Sequence, residues 1–177
     1  IVTTLPGSIT VRSETAAFRF PANHVVYFPE VSPPSHMDIY HTGFEEPYTV
    51  RPIESISSKS LFFSPVLVAP KDGPKIGITE SDLEDYPGMF LNGNSEKALF
   101  GQFAPYPAEE VETKELYSTR YVSKRADFLA QTKGTRAFPW RVLLIAPEDR
   151  DLPGNDLVYR LASPSRVPDV SWVKPGK

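Results

Sequence analysis

LFFSPVLVAPKDGPKIGIT, residues 61–79, decides between helix and sheet. Its apolar stretches are short, and Pro65, Pro70 and Pro74 recur too often for a helix, since proline lacks an amide donor and clashes with the preceding turn. Extended chain is what remains. The spacing predicts a strand over 61–69 interrupted by Pro65, either an edge strand or one bearing a bulge. Lys71-Asp72-Gly73-Pro74 is a turn signal and closes a hairpin onto 75–79.

The same argument holds for the whole chain. Its 19 prolines are spread along 177 residues, about twice ordinary usage, and exclude long helices. Aromatic residues at 12% and many β-branched ones agree with an all-β fold. Upstream, two strands are expected over 8–20 around a polar turn at 13–15, then a strand at 24–28. A loop over 29–43 follows, containing Pro33-Pro34 and Gly43, and 48–60 gives no clear assignment. Downstream, 80–85 suits one helical turn capped by Thr79 and stopped by Tyr86-Pro87-Gly88. Strands at 89–91 and 98–103 flank the Asn92-Gly93 turn. The charged stretch 109–120 reads as a flexible connection or an exposed strand pair. Segments 127–130 and 136–146 flank Lys133-Gly134 as a hairpin whose second strand is buried on both faces, with Val142-Leu143-Leu144-Ile145 at the core centre. The tail, ending in Pro164, Pro168 and Pro175, reads as extended chain leaving a sheet.

A chain of 177 residues suits one domain that buries roughly 70% of its unfolded surface. Charged residues at 23% and hydrophobic ones at 40% exclude disorder, collagen and coiled coil. Lys plus Arg total 19 against 22 acids, a net charge of -3, and Lys124-Arg125 is an isolated basic pair. No cationic stripe exists for phosphate neutralisation, so nucleic acid is not an expected partner. The absence of cysteine removes disulfides, thiolate zinc sites and thiol nucleophiles and leaves the redox compartment open. The longest apolar runs, 65–70 and 142–146, fall far short of the roughly 20 residues that cross a bilayer. The chain begins at Ile1 with neither methionine nor a signal-peptide core, as expected of a processed product or a fragment.

Candidate chemistry is sparse. His36 and His41 lack the helical spacing that sets two imidazoles on one face, and His24 stands apart, so ordinary histidines are expected. No Gly-x-Ser-x-Gly elbow and no phosphate-binding glycine loop occur. The densest acidic group is Glu80, Asp82, Glu84 and Asp85; carboxylates suit calcium, but the spacing lacks an EF-hand's alternating acids and central glycine. Trp140, Trp172 and the tyrosines could stack on sugar rings, but in an all-β chain such residues more often belong to the core, and Trp140, in the strand expected to be buried, reads as structural.

Three stretches in order resemble one family: FRFPANHVVYFPE (18–30), ITESDLEDYPGMFL (78–91) and TRAFPWRVLLIAPEDRDLPGNDLVYRLASPSRVPDVSWVKPGK (135–177). The succession of Phe-Pro-Trp-Arg, Asn-Asp-Leu-Val-Tyr, Leu-Ala-x-Pro-Ser and Ser-Trp-Val-Lys-Pro-Gly-Lys is similar to the N-terminal domain of glycoside hydrolase family 97. The resemblance implies a calcium-dependent, exo-acting α-glucosidase or α-galactosidase of the periplasm or outside the cell, as in Bacteroidetes. It implies a large antiparallel β-sandwich of super-sandwich type with few short helical turns, incomplete in this chain and followed by a (β/α)8 barrel. That barrel would be this domain's partner, act on α-linked oligosaccharides and supply both carboxyl groups of glycoside hydrolysis, so no catalytic residue is expected among 1–177. The resemblance further implies that Glu80 is a calcium ligand shared with the barrel, with Asp82 a distant second. Thr79 and Ser81-Asp82 stand where the family commonly has a histidine and alanines. Two rival readings are a non-catalytic carbohydrate-binding β-sandwich, which requires a planar row of exposed aromatics, and a purely structural β-domain that docks partner chains.

Overall fold

The computed structural model describes residues 1–33, 37–112, 120–167 and 169–174. Among these the strands run in chain order as β1 (Val2–Val11), β2 (Ala17–Arg19), β3 (Val25–Pro29), β4 (Tyr48–Pro52), β5 (Phe62–Phe63), β6 (Val66–Ala69), β7 (Lys75–Ser81), β8 (Met89–Asn92), β9 (Ala98–Phe103), β10 (Pro107–Glu112), β11 (Arg120–Arg125), β12 (Ala130–Ala137) and β13 (Trp140–Ala146). One short helix, α1 (Leu157–Leu161), follows them. All pairings are antiparallel, and the all-β reading holds.

Alternating side chains build two facing sheets. A five-stranded sheet ordered β13-β7-β6-β3-β4 turns Val26, Phe28, Val66, Val68 and Ile78 inward. A four-stranded sheet ordered β2-β9-β8-β5 answers with Phe62, Met89, Leu91, Leu99 and Phe103. Phe28 and Phe62 meet between the sheets with ring centroids 4.5 Å apart. Ile53 and Ile56, on the helical turn after β4, complete the buried centre. Two smaller sheets, β1-β12 and the exposed β10-β11 pair, flank this sandwich.

The turn at 71–74 does close the β6-β7 hairpin. Pro65, however, marks neither an edge position nor a bulge: it lies between β5, at the rim of the four-stranded sheet, and β6, inside the five-stranded one. The stretch 61–69 is two strands because the chain changes sheets there. Lys133-Gly134 is likewise no turn. It sits within the unbroken β12, opposite the register shift in β1 between Thr4 and Ser8. A Cβ on Gly134 would stand 2.4 Å from the Leu5 carbonyl oxygen, so glycine serves close strand approach.

The expected core centre is also displaced. β13 is an edge strand, with Val142 buried on the face that α1 packs against, while Leu143 and Ile145 are 44% and 62% exposed. Both lie on the Ile78 side of the sheet and remain partly open to solvent. Trp140 is 49% exposed and is not a core residue. The unassigned stretch 48–60 supplies β4 and the turn carrying Ile53, and the tail contains α1 rather than only extended chain. The 113–119 part of the charged segment, Pro34, His36, Pro168 and Pro175 lie outside the described residues.

The outer face of the four-stranded sheet is covered by the 37–44 loop. Tyr40 packs edge-on to Phe90 at 5.2 Å, and Phe44 edge-on to Phe63 at 5.0 Å. Asp38 anchors this loop through a fork from Arg125, with Nε and one terminal nitrogen 2.8 and 2.7 Å from its two oxygens. The remaining Arg125 nitrogen donates to the Pro105 carbonyl at 2.6 Å. The Arg125 hydrogen bonds hold the Asp38 carboxyl below its ordinary value, against the raising effect of burial. A depressed carboxyl contributes stability above its unfolded value of 3.8, and that contribution disappears as pH falls through the lower folded value. Urea unfolding at near-neutral pH should therefore show Asp38→Asn about 2 kcal/mol less stable than the parent. The gap should narrow below about pH 4; a gap independent of acid would contradict the ion pair.

Candidate functional site

Glu80 lies in β7, and no helical turn starts there. The inward alternation of Ile76 and Ile78 continues to Glu80, which stands directly opposite Arg141 of β13. The chain then bends through left-handed backbone at Asp82 and Glu84, with φ of 60° and 46°, which a right-handed helical turn excludes.

Glu80 is held from two sides. Both of its oxygens accept the Met89 N–H, at 3.0 and 2.8 Å, and Oε2 accepts an Arg141 guanidinium N–H at 2.6 Å. Burial pushes its carboxyl above the ordinary value, against the lowering pull of the Met89 amide and Arg141. The other edge of Arg141 grips Glu14, in the link between β1 and β2, through Nε and a terminal nitrogen at 2.8 and 2.9 Å. The side chains of Arg141, Glu80 and Glu14 are 15%, 10% and 22% exposed. Arg141 also lies over the Phe103 ring at 4.8 Å. Burial, with the neighbouring Glu14 carboxylate adding to it, pushes the Tyr86 phenol up to about 12.

The other acids of the cluster have different partners. Asp82 accepts the Ser163 N–H and hydroxyl at 2.9 and 3.0 Å, Glu84 pairs with Arg166 at 3.0 Å, and Asp85 pairs with Arg136 at 2.8 Å. This segment pins the 163–166 stretch and β12 rather than converging on one point. Asp82, Asp85, Lys133 and Arg136 border a polar cleft of about 750 Å³ that does not include Glu80.

Of the described histidines, His24 and His41 keep separate surroundings. His24 stands edge-on to Phe20, and His41 belongs to the loop anchored by Asp38. No group of three or more metal-ligating side chains occurs among the described residues. Trp140 on β13 and Tyr48 on β4 stand at opposite edges of their sheet and do not share a stacking platform. Trp172 is exposed and donates its indole N–H to the Asp169 carbonyl at 3.0 Å.

Sequence reasoning singled out Glu80 and passed over its partners Glu14 and Arg141. Arg141 did carry a signal, as a cation opening the apolar run Val142 to Ala146. Glu14 carried none, because its partner is 127 residues away.

The profile described as Glycosyl-hydrolase 97 N-terminal matches residues 2–164. The chain belongs to glycoside hydrolase family 97. It is 34% identical over 171 residues to a retaining alpha-galactosidase of Bacteroides thetaiotaomicron, a match spanning 94% of this chain and 26% of that protein. Its fold is that of a family 97 enzyme from Pseudoalteromonas sp. strain K8 solved with acarbose, with a TM-score of 0.69 at 24% identity over 96% of this chain and 22% of the other. A variant of the same enzyme solved with panose matches equally well. The chain thus spans about a quarter of the length of these family 97 relatives.

Whether Glu80 suits calcium can be judged from its donor atoms. A carboxylate offers about four lone-pair positions, and the Arg141 and Met89 bonds leave Oε1 the freer oxygen. A Cβ on residue 88 would stand 3.1 Å from Oε1, and Gly88 keeps that approach open. Glu80 therefore fits as one hard oxygen donor of a shared ion.

Proposed function

We propose that this chain is the N-terminal β-sandwich portion of a calcium-dependent, exo-acting α-glycosidase, an α-glucosidase or α-galactosidase of the periplasm or cell exterior. In this reading it braces a (β/α)8 barrel that acts on α-linked oligosaccharides, and Glu80 lends one oxygen to a calcium at the rim of the barrel's sugar pocket. Calcium would supply fixed positive charge beside the sugar. The chain's own residues would hold Glu80 in place: Met89 and Arg141 fix its rotamer, and the β7-β13 pairing fixes its height. The supporting observation is the family match over 2–164 together with an immobilised carboxylate whose Oε1 accepts only the longer branch of the Met89 N–H. No helix of the described residues is long and apolar enough to cross a membrane.

In the full-length protein, Glu80→Gln should raise the calcium concentration needed for half-maximal activity about 10- to 100-fold. An unchanged response across a chelator titration would remove Glu80 from the site. The isolated chain, once shown to unfold cooperatively, should hydrolyse neither α-glucosides nor α-galactosides.

A further inference from the structure

A guanidinium 2.6 Å from a proposed calcium ligand poses an electrostatic problem. Arg141 could neutralise Glu80 one for one and oppose any cation brought to it, in surroundings where burial weakens screening. Glu14 answers this. It takes the Nε edge of Arg141 in a two-point fork, so two carboxylates face one guanidinium and the group keeps one net negative charge. Phe103 beneath Arg141 and the Met89 amide on Glu80 hold the array in register.

We propose that Glu14 is a positioning residue for the cation site: by occupying the far edge of Arg141 it offsets the guanidinium charge, so that the three groups together present a net negative charge to a divalent ion. The inference rests on Glu80 being a calcium ligand. Glu14 touches neither the ion nor the sugar and acts through Arg141.

The test is calcium titration by calorimetry on the full-length protein, with melting curves in chelator beside it. Four forms are compared: the parent, Glu80→Gln, Glu14→Gln, and Glu14→Gln combined with Arg141→Met. Glu14→Gln should weaken calcium binding about 10- to 100-fold. The double variant, which removes the guanidinium as well, should bind calcium more tightly than Glu14→Gln; a merely structural Glu14 predicts affinity as weak as the single variant or weaker. If Glu14→Gln does not fold, Arg141→Met alone is added and the double variant is measured against it: equal affinity supports a Glu14 that acts only through Arg141, and weaker affinity in the double variant overturns it. Parental affinity in Glu14→Gln, with Glu80→Gln weakened, overturns the role of Glu14 and leaves Glu80 as ligand. Parental affinity in Glu80→Gln overturns both.

Discussion

Arg141→Ala is expected to lower folding stability by about 3–5 kcal/mol, because it strands two partly buried carboxylates without their shared cation. Glu80 would keep only the Met89 amide, and Glu14 would lose both points of its fork. An exposed ion pair would cost far less, about 1 kcal/mol at most, so the size of the loss reports burial. Urea unfolding at neutral pH measures it, provided the denaturant slope matches that of the parent. A loss below about 1 kcal/mol would show that Arg141 is solvated and would remove the physical basis for its control of Glu80.

Phe62→Ala should be as damaging, at about 3–5 kcal/mol, for a different reason. Phe62 is fully buried on the four-stranded sheet and meets Phe28 of the five-stranded sheet. Truncation opens a cavity between the sheets that neither backbone can close without breaking ladder hydrogen bonds. Phe63, one residue on, points to the other face, beneath Phe44 of the loop. Its truncation should be the milder of the two, because the loop can settle over it. Equal losses at 62 and 63 would contradict the two-sheet arrangement.

Much of this fold was legible in local signals. Prolines ruled out long helices, the 71–74 turn named its hairpin, and residues 109–112 of the charged stretch lie in the exposed strand β10, paired with β11. The misreadings share one physical cause: long-range pairing decides what a local signal means. Lys133-Gly134 looks like a turn until β1 lies beside it, where the glycine admits the Leu5 carbonyl. Val142 to Ile145 looks like a doubly buried strand until β13 is placed at an edge with one neighbour. Pro65 looks like a strand defect until the chain is seen to change sheets. The site follows the same rule, since Glu80 was found through the resemblance of 78–91 to the family. Glu14 and Arg141 became visible only when β7, β13 and the β1-β2 link were brought together.

A crystal structure of the full-length protein grown with calcium tests the central claim most directly. The account predicts an ion with a Glu80 carboxylate oxygen about 2.3–2.6 Å away and its other protein ligands drawn from beyond this chain. A calcium coordinated wholly by other residues, with Glu80 bound only to Arg141 and Met89, would contradict it.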